Sequence, residues 1–340
     1  MIKNIIIILC TFLTISTQLK SQSDDFSSLN IPSSKPETIN LSDITKDTYH
    51  VILSSPGDKY PKVIKSTFVD EELILIAYTQ NENDVFFKYL NYYTPKGEFM
   101  KQTKAYNLLD VDKVRKQIYT LSASNIFHIY SYQGTLLDSI VLDVRVDNFK
   151  LYNNNLFYAT NEIDENNVYH YELHKLTLGT NKINKIHSFT YKGLESGRET
   201  FIGSKSNFWI NENLYWAHGL GSHVYEINKN DELKQIEVIF AEKRSFMDQV
   251  LTGYGIVGHY LYCRYTINIK KRIYLKDLEN FNELKISYYN NDDIYNTGKF
   301  GFKTNINQKL YFTKKAHEVP EPARTKLNLL AKDILFVYTL

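Results

Sequence analysis

The sequence predicts an all-β fold, a six-bladed β-propeller of four-stranded blades, and three observations carry that expectation. A short strand pattern recurs six times along the chain. Tyrosine is abundant, at 27 of 340 residues, and its ring suits a half-buried pleated surface. Many strand-like segments are apolar at successive positions rather than alternating, as strands covered on both faces must be.

The recurring pattern is a polar turn, a Leu or Ile, then an aromatic or Ile leading into further strand-forming residues. It reads EELILIA (Leu73, Ile74), KQIYTLS (Ile118, Tyr119), NNLFYAT (Leu156, Phe157), ENLYWAH (Leu214, Tyr215), HYLYCRY (Leu261, Tyr262) and QKLYFTK (Leu310, Tyr311). From Ile74 to Tyr311 the copies lie about 47 residues apart, the length of a four-stranded blade. Another strand precedes most copies, as in KVIKSTFV, VDNFKLY, KSNFWI, GYGIV and GFKTNI. A third strand, a tight reversal and a fourth strand follow, as in NIFHIYSYQGTLLDSI. Gly97, Gly134 and the Asn/Asp residues near 230 stand where such reversals need unusual backbone angles. The strands TYHVILSS near residue 50 and ILFVYTL at the end of the chain are expected to pair and close the ring. Between the last copy and that end, Ala323, Leu327 and Leu330 fall at i, i+4 and i+7 behind Pro322, predicting a short amphipathic helix.

The N-terminus MIKNIIIILCTFLTIST has one lysine, then an apolar run from Ile5 to Ile15, then polar residues. This reads as a signal peptide over residues 1–23, too short to span a bilayer. Lipidation at Cys10 is the rival reading, and Leu9 stands against it because a small residue belongs there. Residues 24–45 read as an extension and 46–340 as one propeller domain, with no later segment of membrane-helix length. The expected location is periplasmic, cell-surface or extracellular.

Lys3 and Lys20 go with the leader and no acid does, so 40 basic residues against 38 acidic become 38 against 38. A neutral chain has no long-range field to attract nucleic acid, and none is expected as a partner. Only Cys263 remains of two cysteines, which excludes a disulfide framework and a cysteine metal cluster. It reads as a small buried hydrophobe. No cofactor is expected, and the chain is expected to be a monomer.

The chain resembles the secreted six-bladed β-propeller proteins of unassigned function found in Gram-negative bacteria. The resemblance lies in INLSDITKDTYHVIL (39–53), KQIYTLSASNIFHIYSYQGTLLDSI (116–140), HVYEINKNDELKQIEVIF (223–240), NNDDI (290–294) and LNLLAKDILFVYTL (327–340). It implies export and a ring of six blades, and it supplies no catalytic residues. Many members carry a lipobox, from which this chain departs.

If the recurring strand is second in each blade, loops after it share one rim with the segments that join blades, where propellers usually bind ligands. Two positions past the leading Leu or Ile stand Leu75, Thr120, Tyr158, Trp216, Cys263 and Phe312, so Trp216 reads as packing rather than as a sugar platform. Four past it stand Ala77, Ser122, Thr160, His218, Tyr265 and Lys314, a mixed series suited to a rim. His218 opens the loop HGLGS, where two glycines permit close backbone approach, and His223 follows it. The blade-joining segments add Arg198, Arg244, Asp292 and Asp293. These six residues are the candidate ligand site, suited to a polar small molecule, a glycan or a peptide.

His170 and His174 lie on one face of a strand but about 13 Å apart, too far for one metal. His218 and His223 could chelate zinc, but no third ligand is identifiable, and the acidic loops NEIDENN and NNDDI lack calcium-loop spacing. No metal site is assigned. Nucleophile elbows and phosphate loops are absent from the sequence. The expected function is a binding or interaction module for a small molecule, glycan, peptide or envelope partner. A hydrolase or lyase acting on glycans or peptides stays open, because convergent carboxylates from different blades leave no local motif.

Overall fold

Asn153 and Asn154 both take left-handed backbone angles (φ +48° and +61°), and asparagine tolerates these better than most residues. They form the two-residue hairpin turn in which Tyr152 pairs with Asn155. Gly97 (φ +85°), Gly134 (φ +73°) and Asp231 (φ +65°) turn the chain where the sequence places tight reversals. At Gly97 the need is double, because an added Cβ would lie 2.2 Å from the Ile52 carbonyl oxygen.

The protein is described here by a computed structural model over residues 28–31, 40–54, 63–82, 85–104, 108–122, 125–166, 168–192, 206–218, 223–240, 250–257, 260–267, 270–277, 279–280, 283–287, 289–292, 294–296, 298–301, 309–327 and 333–339. These residues build an all-β, propeller-like arrangement of small antiparallel sheets with one short helix. Strand β1 (Ser28–Ile31) and β2 (Asp47–Leu53) precede the first complete sheet. That sheet comprises β3 (Val63–Val69), β4 (Ile74–Glu82), β5 (Val85–Tyr93) and β6 (Phe99–Lys104). The second holds β7 (Leu108–Asp112), β8 (Gln117–Leu121), β9 (Ile126–Ser131) and β10 (Leu136–Val141). The third holds β11 (Val146–Tyr152), β12 (Asn155–Ile163), β13 (Val168–Thr177) and β14 (Lys182–Lys192). In the fourth, β15 (Ser206–Asn211), β16 (Asn213–His218), β17 (His223–Ile227) and β18 (Leu233–Phe240) are joined by β1. The fifth holds β19 (Val250–Val257), β20 (Tyr260–Ile267), β21 (Lys270–Asp277) and β22 (Glu283–Ser287). A hairpin of β23 (Tyr289–Asp292) and β24 (Gly298–Gly301) follows. The last sheet pairs β25 (Lys309–Lys315) with β26 (Asp333–Thr339), and β26 with β2.

The sequence expects six four-stranded blades; among the described residues four sheets have that form. The fourth sheet has five strands because β1 adds to its outer edge in parallel. The last has three. Its expected innermost strand, GFKTNI, covers 301–306, of which 302–306 lie outside the described residues, while Gly301 pairs with Tyr289 in the hairpin instead. The expected pairing of the chain's two ends is present, with Asp47–Leu53 antiparallel to Asp333–Thr339 over seven register pairs. The expected helix is the short α1 (Glu321–Lys326), which buries Ala323 against the core; Leu330 lies outside the described residues.

Burial explains why the recurring strand is so apolar. It is the second strand in all five larger sheets, and its residues are covered on both faces: Ile74–Tyr78, Ile118–Leu121, Leu156–Thr160 and Leu214–Ala217 are all buried. The outermost strands do the opposite, with β6 alternating and β10 exposed along most of its length. First strands of consecutive sheets approach one another, β3 to β7, β7 to β11, β11 to β15 and β15 to β19, as an inner ring requires. The described residues contain six buried clusters, each lying between two sheets. Leu75 and Ala77 of the first sheet meet Ile118 and Tyr132 of the second. Phe127 of the second meets Phe149 and Tyr158 of the third, and Tyr171 of the third meets Trp216 and Tyr225 of the fourth. Tyr215 and Val224 meet Cys263 and Tyr274 of the fifth, and Tyr260 and Ile273 meet Ile334 and Phe336 of the last. Leu335 and Val337 of that sheet meet Ile74 and Ile76 of the first.

Polar ties cross the same seams. Lys150 Nζ lies 2.6 Å from Asp110 Oδ1, and the Leu151 amide donates to the other oxygen of Asp110 at 2.6 Å. Tyr132 donates to Asp70 at 3.1 Å and Tyr152 to the Glu212 carbonyl at 3.0 Å.

Candidate functional site

Strand direction divides the sheets into two rims. Turns between first and second strands, and between third and fourth, gather on one side. They are short and closed by their own side chains: Asp70 accepts from the amides of Glu72 and Leu73, Asp277 from those of Glu279 and Asn280, and Asn228 from those of Asn230 and Glu232. Second strands end, and the following sheets begin, at the opposite rim, where the sequence expects the candidate residues.

His218 ends β16, its backbone paired in register with Ser206, and its side chain lies outside the described residues. Arg198, Arg244 and Asp293 also lie outside them, as does the loop 219–222. His223 opens β17 opposite Glu237 and is half-buried. Asp292 ends β23 and is 1% exposed, with Oδ1 accepting the Tyr295 amide at 3.2 Å. Asp292 thus holds a turn, a role its loop-like sequence does not announce. His223 and Asp292 stand on different sheets.

Asp292 also acts on Lys314, the sixth member of the rim series. Burial lowers the pKa of the Lys314 ammonium, against which Asp292 and then Glu318 hold the proton on. Lys314 is thus a half-buried lysine near a buried carboxylate, and its signal in the sequence was its departure from an otherwise uncharged series.

Neighbouring clusters explain themselves without a ligand. His170 Nε2 lies 3.1 Å from Asp164, and His174 Nε2 lies 3.0 Å from Glu172, which also accepts from Lys185 at 3.0 Å. Each histidine has its own carboxylate. Tyr158 stacks on His174 with centroids 5.0 Å apart, and its hydroxyl is pushed up to about 12 by burial and then by Glu172. The acidic loop around Asp164 is a turn that accepts the amides of Asn166 and Val168, each at 2.9 Å. Among the described residues no group of three or more His, Cys, Asp or Glu could hold a metal ion. Cys263 is buried and its thiol pKa is pushed up by that burial. Trp216 is fully buried among Phe189, Tyr225 and His187, as a packing residue and not a ligand platform.

These histidines make a prediction. Burial lowers the pKa of His50, His128, His174 and His187, with Glu172 opposing it at His174. A lowered folded-state pKa means the unfolded chain binds more protons as pH falls, so stability is full above the ordinary histidine value of about 6.5 and declines below it. Asp164 (bonded first by the Val168 amide) and Glu172 (first by Lys185) are held below the usual carboxylate range and continue the loss at lower pH. The urea midpoint should be flat from pH 8 to 7 and fall from pH 6.5 to 5; a rise on acidification would reject this.

No protein family matches the chain, and no curated protein matches it either. Solved structures do. A candidate exported protein of Bacteroides fragilis superposes with a TM-score of 0.64 at 13% identity, covering 92% of this chain and 99% of that one. A member of the family DUF4221 from Bacteroides vulgatus gives a TM-score of 0.48 at 8% identity, covering 87% and 96%. The likeness is one of fold. Among the described residues no helix is long and apolar enough to cross a membrane.

Proposed function

We propose that this chain is an exported binding or interaction module, a single propeller domain over residues 46–340 behind a signal peptide at 1–23 and an extension at 24–45. In this reading there are six blades: the four four-stranded sheets, the five-stranded sheet and the three-stranded sheet that unites the chain's ends. The cyclic order of the six buried clusters supports that count. The likeness to a candidate exported protein supports export as an expectation.

The observation that carries the binding role is the length of two connections between sheets. Residues 193–205 and 241–249 join successive sheets in runs longer than any turn within the four- and five-stranded sheets and carry Arg198 and Arg244; this reading sets His218, His223, Asp292 and Asp293 on the same rim. Function concentrates in such connections because a rigid scaffold positions them at little structural cost. A polar small molecule, a glycan or a peptide fits their mixture of cations, carboxylates and imidazoles.

Thermal-shift screening of residues 24–340 against sugars, oligosaccharides and peptides tests this. A ligand at one hundred times its Kd stabilises the native state by about 2.7 kcal/mol. The stabilisation should vanish in the double variant His223→Ala, Arg244→Ala and persist in Lys116→Ala on the opposite rim. The reverse pattern would place binding elsewhere.

A further inference from the structure

The N-terminal extension is built into the propeller at two places. β1 lies parallel to β18, with Ser28 opposite Glu237 and Ile31 opposite Phe240, while every other described strand pair is antiparallel. Ile31 is 2% exposed and packs between the fourth and fifth sheets with Val238, Cys263 and Tyr265. Further on, a 3-10 turn at Leu41–Asp43 buries Leu41 and Ile44 between the fifth and last sheets, beside α1. Thr45 fastens it, its Oγ1 donating to the Leu41 carbonyl at 2.7 Å. That turn touches β23.

The two attachment points have one property in common. Phe240, opposite Ile31, is the last residue of β18 before the segment carrying Arg244. β23, touched by the 3-10 turn, ends in Asp292. A parallel strand can be added only at an outer edge, and this one is pinned at the end of that edge nearest the loop-bearing rim.

We propose that the extension is a positioning strap, which holds the last residues of β18 and β23 and so fixes the points from which the chain leaves these two strands. The proposal rests on reading that rim as the binding face. Edge strands open locally unless something covers them, and amide exchange reports such opening strand by strand.

Hydrogen exchange on the full chain tests it without a ligand. Ile31→Asp should raise exchange at Val238–Phe240 at least tenfold, and Leu41→Asp should do the same at Asn290–Asp292. In both, the amides of Leu156–Thr160 in β12 should keep their protection. Should either variant fail to fold, a cross-link replaces it: Asn30 and Ile239 are exposed register partners, and cysteines there can pair. Oxidised Asn30→Cys, Ile239→Cys protein should exchange at least tenfold more slowly at Val238–Phe240 than the reduced form. Equal exchange in the two forms, or in Ile31→Asp and the parent, overturns the strap. A blank ligand screen would defeat the binding reading and leave these exchange results unchanged.

Discussion

Replacing Trp216 with alanine should destabilise the protein by about 3–5 kcal/mol, the range for removing a buried aromatic from a packed core. The ring is fully buried and sits 5.1 Å from Tyr225 and 5.5 Å from Phe189, centroid to centroid, with His187 edge-on at 6.3 Å. These rings come from both the third and fourth sheets, so a cavity there cannot close by moving one strand. A second variant separates packing from polarity. The indole Nε1 is buried without a hydrogen-bond partner, an arrangement that costs about 1–3 kcal/mol. Trp216→Phe deletes that donor while keeping an aromatic ring, and should cost at least about 2 kcal/mol less than the alanine variant. Urea midpoints measure both. Trp216→Ala of unchanged stability would mean that the ring is not part of the core.

Asp110→Ala should cost a similar amount, about 3–5 kcal/mol, for a different reason. Both carboxylate oxygens are engaged at 2.6 Å, one by Lys150 Nζ and one by the Leu151 amide, and the Lys150 side chain is only 12% exposed. Removing the carboxylate strands a buried ammonium and a backbone N–H across the seam between second and third sheets. Desolvation of the pair already offsets much of its attraction, so removing both charges should hurt far less than removing one. The double variant Asp110→Leu, Lys150→Met should therefore recover more than half of the loss. A double-mutant cycle in urea gives the coupling directly, and coupling below about 0.5 kcal/mol would show that the two groups do not depend on each other.

The parts of this fold legible in the sequence are those that repeat. The leading Leu or Ile and the aromatic behind it mark the second strand because that strand is covered by sheets on both sides, and both faces of the segment record this. The fate of Trp216 followed from its place in that series. Apart from the expected pairing of TYHVILSS with ILFVYTL, legibility ended where partners are distant in the chain. Nothing in SLNI announces a parallel strand, because its partner lies at 237–240 and its one apolar anchor, Ile31, is an ordinary residue. Asp110 and Lys150 meet only when two first strands are adjacent, so neither carries a local signal. At the candidate site, residue type pointed to a rim without separating structural side chains from free ones. Asp292 proved to be holding a turn as well as facing Lys314. Loops lack periodicity, and periodicity was what made the strands readable.

The pairing of β2 with β26 has a consequence for how the protein is made. Thr48 meets Tyr338, a separation of nearly the whole chain, and the entropy of closing so long a loop must be met before that contact gives anything back. Sheets one to five can form in order as the polypeptide emerges, each from residues close in sequence apart from β1 on the fourth. The last sheet cannot, since β2 at Asp47–Leu53 must wait for Asp333–Thr339, nearly three hundred residues later. Until Asp333–Thr339 emerges, β2 waits with an open edge, and the first sheet waits with Ile74 and Ile76 uncovered. The ring is thus a clasp that fastens only once Asp333–Thr339 has been made, and until then the chain carries uncovered apolar strand faces.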